Sequence, residues 1–137
     1  MLDASITLTW FLEDEPSPSS AADVLRRLET DTAIVPALWA LELANALVVA
    51  ERKQRLTEAE TARVLSLVRA LPIEVDETPS RDTLATIVGL ARGHRLSAYD
   101  AAYLELAIRL GVPLATVDRR LGEAAQRAGV SLAGTRE

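Results

Sequence analysis

The sequence predicts an α/β fold with a small, mainly parallel central sheet. Short apolar runs, each bounded by Pro, Gly or an acidic residue, alternate with stretches of helical character. That alternation is the pattern of a parallel sheet covered on both faces. The helical stretches outnumber the apolar runs, so the sheet must be small and much of the core must lie between helices. At 137 residues the chain has the usual size of one domain, and residues 1–137 read as one.

The elements follow in order. Met1 to Ala4 reads as a very short first strand. Ser5 is placed to cap a helix to about Leu12, with Ile6, Leu8, Trp10 and Phe11 as its apolar residues. Glu13, Asp14, Glu15, Pro16 and Pro18 read as the loop that ends it. Ser17 before Pro18 starts a second helix to about Glu29, with Ala21, Val24, Leu25 and Leu28 on its apolar face. Ala33 to Val35 forms a second strand ending at Pro36. The run from Ala37 to Ala50 is almost wholly apolar, which predicts a helix buried around most of its circumference.

Thr57 and Glu60 form a capping box for a helix to about Ala70, closed by Pro72. Ile73 to Val75 is a third strand. Ser80 caps a helix to about Arg92, with Gly93 as its stop. Ser97 opens a helix over Ala98 to Leu110, ended by Gly111 and Pro113. Leu114 to Val117 is a fourth strand, Asp118 heads a last helix to Ala128, and Val130 to Leu132 is a fifth strand before a polar tail. No internal repeat or linker interrupts this order.

Composition bounds the function. Without cysteine there is neither a disulfide framework nor a thiolate metal site. The absence of a secretory start fits a cytoplasmic protein, and no apolar run is long and uninterrupted enough for a membrane span. The net charge of −5 argues against holding nucleic acid by bulk positive potential. Fourteen of the fifteen basic residues are Arg, with Lys53 the exception. Arginine grips phosphate bidentately, although genomic base composition gives the same bias.

Four carboxylates carry the chemical argument. In open α/β sheets, ligands bind beyond the carboxyl ends of the strands. Asp3 follows the first apolar run and Asp118 the fourth. Glu42 lies within the helix leaving the second strand, and Asp100 lies in the first turn of the helix opened by Ser97. Asp3 and Asp118 also suit helix capping, and Asp100 suits a capping box with Ser97. Glu42 is in mid-helix and has no such role, so it either pairs with an Arg, lies on one wet face of the helix, or shares a cation. Asn45 stands three residues further along the same face. Ser5 and Thr116 each lie two residues from one of the strand-end acids, where a hydroxyl could reach a metal-bound water or a phosphate oxygen. An all-oxygen set of this kind suits Mg²⁺ or Mn²⁺. His94 is the only histidine, so no Ser–His–Asp arrangement competes, and it reads as a surface residue rather than a base.

These residues resemble a PIN domain, and specifically the VapC-type toxin ribonucleases. The matching pieces are DAS at Asp3 to Ser5 followed by Trp10, PALWALELANAL at Pro36 to Leu47, LSAYDAAYLELA at Leu96 to Ala107, and LATVDRRL at Leu114 to Leu121. They span nearly the whole chain in the family's order. The resemblance implies a three-layer fold around a parallel sheet and Mg²⁺- or Mn²⁺-dependent hydrolysis of RNA. By position it implies catalytic and metal-binding roles for Asp3, Glu42, Asp100 and Asp118, with Ser5, Asn45 and Thr116 in support. It also implies a homodimer and a cognate VapB-like antitoxin whose tail wraps the toxin; Trp10, Phe11, Leu38 and Trp39 are candidates for an exposed apolar surface that meets it, although each taken singly reads as core. One departure is that only Met1 and Leu2 precede Asp3, which predicts a stunted first strand or a start further upstream. Two other readings compete with the toxin: a non-toxin RNA-processing nuclease, and a binding or regulatory domain with little turnover. Phosphoryl transfer through an aspartyl-phosphate would need a second acid close after Asp3 or a Lys after a later strand, and neither is present.

Overall fold

The computed structural model describes residues 1–12, 19–77 and 80–134. The loop expected over Glu13 to Pro16, the Ser17–Pro18 helix start and the end of the polar tail lie outside the described residues. Seven α-helices are described: α1 (Ala4–Thr9), α2 (Ser19–Arg27), α3 (Leu38–Arg52), α4 (Glu58–Ala70), α5 (Leu84–His94), α6 (Ala98–Leu110) and α7 (Arg119–Arg127). Two strands, β1 (Ala33–Pro36) and β2 (Ile73–Asp76), pair in parallel with Val35 opposite Val75. None of the helices is long and apolar enough to cross a membrane, among the described residues.

The other three expected strands are reduced to single bridges. Leu2 pairs in parallel with Ala115, and Leu114 in parallel with Leu132. Backbone bonds continue the sheet through them. Leu2 N–H donates to Ile34 O (3.2 Å), Asp3 N–H to Ala115 O (2.9 Å), Ala115 N–H to Met1 O (2.9 Å), and Leu114 N–H to Ser131 O (2.9 Å). The spatial order is therefore β2, β1, Met1–Asp3, Leu114–Ala115, Leu132. This order reverses direction between Met1–Asp3 and Leu114–Ala115. Such a reversal opens a crevice at the carboxyl ends of the strands, the usual ligand site of an open α/β sheet.

Several helix ends depart from expectation. The α1 helix stops at Thr9 and begins at Ala4, with Asp3 at the N-cap position making no side-chain cap bond. Ser80 makes no side-chain cap bond either, and a 3₁₀ turn over Arg81–Thr83 precedes α5. Gly93 does not end that helix. It runs on to His94, and Arg95 terminates it in the left-handed region (φ 54°, ψ 43°), a conformation that more often takes Gly or Asn. The caps at Thr57, Ser97 and Asp118 form as expected, accepting from the backbone N–H groups of Glu60, Asp100 and Leu121.

The larger correction concerns burial. Helix α3 buries one stripe, Trp39, Leu43, Leu47 and Ala50, while Leu41 is 76% exposed. The helix buried on all sides is α6, where every residue from Ala101 to Ala107 is buried. It packs against α5, α7 and β1, whereas α3 meets α1 and α4. The largest fully buried side chain is Tyr103, among Leu2, Ile6, Leu47, Leu104 and Leu106. Trp39 is buried too, and Trp10, Phe11 and Leu38 pack partly buried against the core, so these four do not form a freely exposed apolar surface.

Candidate active site

Asp3 anchors the site. Its segment is clamped between β1 and Leu114–Ala115, which leaves the residue 4% exposed at the crevice where the sheet order reverses. Its Oδ2 accepts hydrogen bonds from Ser5 Oγ (2.6 Å) and Thr116 Oγ1 (2.7 Å). The two hydroxyls lie 3.3 Å apart. Ser5 Oγ also accepts from Val117 N–H (3.3 Å), and Thr116 Oγ1 from Asp118 N–H (3.0 Å). Ser5 is thus not a helix cap. With Thr116 it staples the end of the first strand segment to the end of the fourth.

The acids on the neighbouring helices lean on one another electrostatically. Burial pushes the Asp3 carboxyl above its ordinary range, opposed by the Ser5 and Thr116 hydrogen bonds and reinforced by the charge of Asp118. Burial, then Asp3, then Asp100 raise Glu42 to about 7. Burial, then Asp118, then Asp3 raise Asp100, with the Ser97 hydroxyl opposing. Asp3 therefore feels Asp118 and raises both Glu42 and Asp100, so the four form one like-charged group. Among the described residues none of the four makes an ion pair.

Among the described residues the partner of Glu42 is neither an Arg nor Asn45. The hydroxyl of Tyr103 donates to Glu42 Oε2 at 3.4 Å, and the backbone of Ala4 hydrogen-bonds the same hydroxyl. Burial, followed by the charges of Glu42 and Asp3, pushes the Tyr103 phenol far up, so it remains a neutral donor. The sequence offers one signal for it: Tyr103 lies three residues after Asp100 and so shares its helix face. Asn45 is exposed and makes no hydrogen bond among the described residues. Asp118 serves partly as a cap, since its Oδ1 accepts from Leu121 N–H (3.0 Å), and its second oxygen is left for other work. Lys53 stands at the C-cap of α3, ~16 Å along the helix from Glu42, which leaves the aspartyl-phosphate reading without its cation.

Carboxylates and hydroxyls, with no ion pair to the acids among the described residues, make an oxygen donor set with excess negative charge. No three acidic or histidine side chains are drawn together tightly enough to cage an ion, among the described residues. Zinc or calcium would require a more closed set. Mg²⁺ keeps several waters and takes only one or two carboxylates directly, so an open arrangement with unneutralised charge fits that class of ion.

Comparison with known proteins gives the family of the chain. The PIN domain family model matches residues 1–127. Ribonuclease VapC3 of Pyrobaculum aerophilum is 32% identical over 127 residues, covering 90% of this chain and 92% of the relative. Ribonuclease VapC12 of Mycobacterium tuberculosis is 33% identical over 123 residues, covering 90% of this chain and 89% of the relative. Among solved structures, PAE2754 from Pyrobaculum aerophilum superimposes with a TM-score of 0.67 at 26% identity, over 90% of this chain and 83% of that one.

Proposed function

Because this chain belongs to the PIN domain family, we propose that it is a divalent-metal-dependent endoribonuclease and the toxin of a VapBC-type pair. The observation that carries the reading is the like-charged group of Asp3, Glu42, Asp100 and Asp118 at the crevice of the sheet, which makes no ion pair among the described residues. The ribonuclease names of the two relatives supply the substrate class.

In this reading the four carboxylates hold Mg²⁺ or Mn²⁺, which when bound supplies Lewis acidity and offsets phosphate charge. Ser5 and Thr116 fix the orientation of the Asp3 carboxylate by their paired hydrogen bonds. Tyr103 orients Glu42 from a fully buried position. The reaction is hydrolysis: a water oxygen forms a new bond to phosphorus as the bond to the ribose oxygen breaks, and a carboxylate oxygen takes the water's proton. The departing oxygen, which keeps the bonding electron pair, is protonated from solvent to the alcohol, while the carboxylate gives its proton back to solvent. No covalent enzyme intermediate is needed.

The decisive assay incubates purified protein and its Asp100→Asn variant with structured RNA in Mg²⁺, Mn²⁺ or EDTA. Cleavage is expected with metal, none in EDTA, and a loss of about 100-fold or more in the variant. Equal activity of variant and wild type would defeat the assignment. The toxin role is tested in cells: expression should arrest growth, and co-expression of the cognate antitoxin should relieve it. Cleavage without growth arrest would favour an RNA-processing nuclease instead. A groove of about 490 Å³ lined by Trp10, Phe11, Leu56, Arg63, Val64 and Leu67 supports a peptide tail as partner. The exposed Leu41 and Val48 of α3 and Leu84 and Val88 of α5 support association with a second copy.

A further inference from the structure

A second group of charges lies outside the carboxylate site, and its sign is opposite. His94, Arg95, Arg120, Glu123 and Arg127 line a cleft of about 170 Å³ between the end of α5 and the outer face of α7. Arg120, Glu123 and Arg127 are spaced by three and four residues, so they form one stripe of α7. The opposite face of that helix, with Leu121, Ala124 and Ala125, is buried. Glu123 is taken by Arg119, whose Nε donates to it at 2.9 Å. Arg95, Arg120 and Arg127 make no ion pair among the described residues. Three unpaired guanidiniums around one small cleft are a concentration of positive charge in a chain whose net charge is −5.

The cleft and the carboxylate site are linked by short stretches of chain at two points. Arg120 is two residues beyond Asp118, so their Cα atoms are at most ~7 Å apart. Arg95 is two residues before Ser97, whose hydroxyl accepts from Asp100 N–H at 3.1 Å. The left-handed backbone at Arg95 (φ 54°) turns the chain there and sets Arg95 beside His94 on the wall of the cleft. An acidic centre repels a polyanion, so a strand held across it needs anchoring by charge beside the centre. Arginine is the side chain whose fork matches two phosphate oxygens.

We infer that this cleft is a backbone subsite of the substrate strand, binding a phosphodiester adjacent to the one that is cleaved. The inference rests on the ribonuclease reading for its substrate, and names which residues hold that substrate. Arg120 and Arg127 grip the phosphate from α7, and Arg95 closes the other wall. Phosphate recognition carries no base information, so the subsite sets the register of the strand and not the sequence that is cut.

The test measures binding apart from cleavage. A short 2′-O-methyl single-stranded RNA, which resists hydrolysis, is titrated with protein in EDTA by fluorescence anisotropy across a series of NaCl concentrations. The variants are R120A/R127A and R95A. The control is R69A/R81A, which removes the same charge from exposed sites on α4 and the 3₁₀ turn. R120A/R127A is expected to bind roughly tenfold more weakly, and its salt slope should fall by about 0.7 for each phosphate no longer neutralised. With metal and cleavable RNA, KM should rise and kcat stay near the wild-type value. If R120A/R127A matches the control in affinity and slope, the subsite is overturned. A fall in kcat at unchanged KM would overturn it too, as would an equal effect on an oligoglutamate probe. A wild type that never cleaves RNA but binds it in this arginine-dependent way would sink the nuclease reading and leave the subsite standing.

Discussion

Helices α3 and α6 are unlike in a way their sequences invert. The sequence of α3 is apolar on nearly every side, yet the helix buries only the stripe through Trp39, Leu43, Leu47 and Ala50. The sequence of α6 carries Asp100, Glu105 and Arg109, yet α6 is enclosed from Ala101 to Ala107. The difference comes from the number of sides on which each helix is packed. Neighbours α5, α7 and β1 surround α6, while α3 meets α1 and α4. The two helices also treat a sheltered carboxylate differently. Glu105, 5% exposed, is neutralised within its own helix: Arg109 Nε donates to it at 2.8 Å, and Arg109 also reaches Asp76 at 3.2 Å. Among the described residues Glu42 has only the neutral Tyr103 hydroxyl. One carboxylate is paired with a cation, and the other with a neutral donor, among the described residues.

Altering each carboxylate's charge or its partner tests this contrast. Glu42→Gln is expected to reduce RNA cleavage about 10²–10³-fold, while metal-free protein stays as stable as wild type or becomes more so in a urea titration. A clear loss of stability would show that Glu42 has a structural partner. Arg109→Met should do the reverse. It strands Glu105 without its counter-charge and should cost about 3 kcal/mol, read from the urea midpoint, with cleavage per folded molecule unchanged. A neutral result would mean that Glu105 does not depend on Arg109.

The asymmetry of α3 itself gives a smaller pair of effects. Leu43→Ala, at a position 3% exposed, should cost about 2–3 kcal/mol by cavity formation. Leu41→Ala should stay within about 0.5 kcal/mol when measured on the monomer. Equal costs would mean that α3 is covered on its outer face.

A pH trend is the smallest effect, because solvent reaches part of Glu42 and screens its neighbours. The folded pKa of Glu42, about 7, lies above its ordinary value of 4.5, so the folded state binds the proton more tightly than the unfolded chain. The associated stability is fully present below about pH 4.5 and is lost as pH rises to about 7. Metal-free wild type should lose stability across that window relative to Glu42→Gln, and Mg²⁺ should remove the difference. A wild type that gains on Glu42→Gln over the window would contradict the like-charge account.

Much of the fold is legible in the residues themselves. The order of the helices, the caps at Thr57, Ser97 and Asp118, and the strands β1 and β2 follow from local chemistry, and so do the positions of the four acids along the chain. Periodicity offers no means of ranking α3 against α6, because it reports the composition of a helix and not how many neighbours it has. The first, fourth and fifth strands are visible as apolar runs, but each pairs only through single bridges. How far a short run extends into a ladder depends on the register of strands distant in sequence.

Local chemistry alone dictates that this chain makes an α/β fold with oxygen-bearing side chains at helix starts and strand ends, because turns, caps and apolar runs are decided within a few residues. The surroundings of those side chains come from long-range packing. Packing buries Asp3 and ties it to Ser5 and, across 113 residues of chain, to Thr116. It also gives Glu42 a tyrosine from α6 and sets around one cleft three arginines that make no ion pair among the described residues. Each of these depends on where the sheet order reverses, and that is a property of how the whole chain packs.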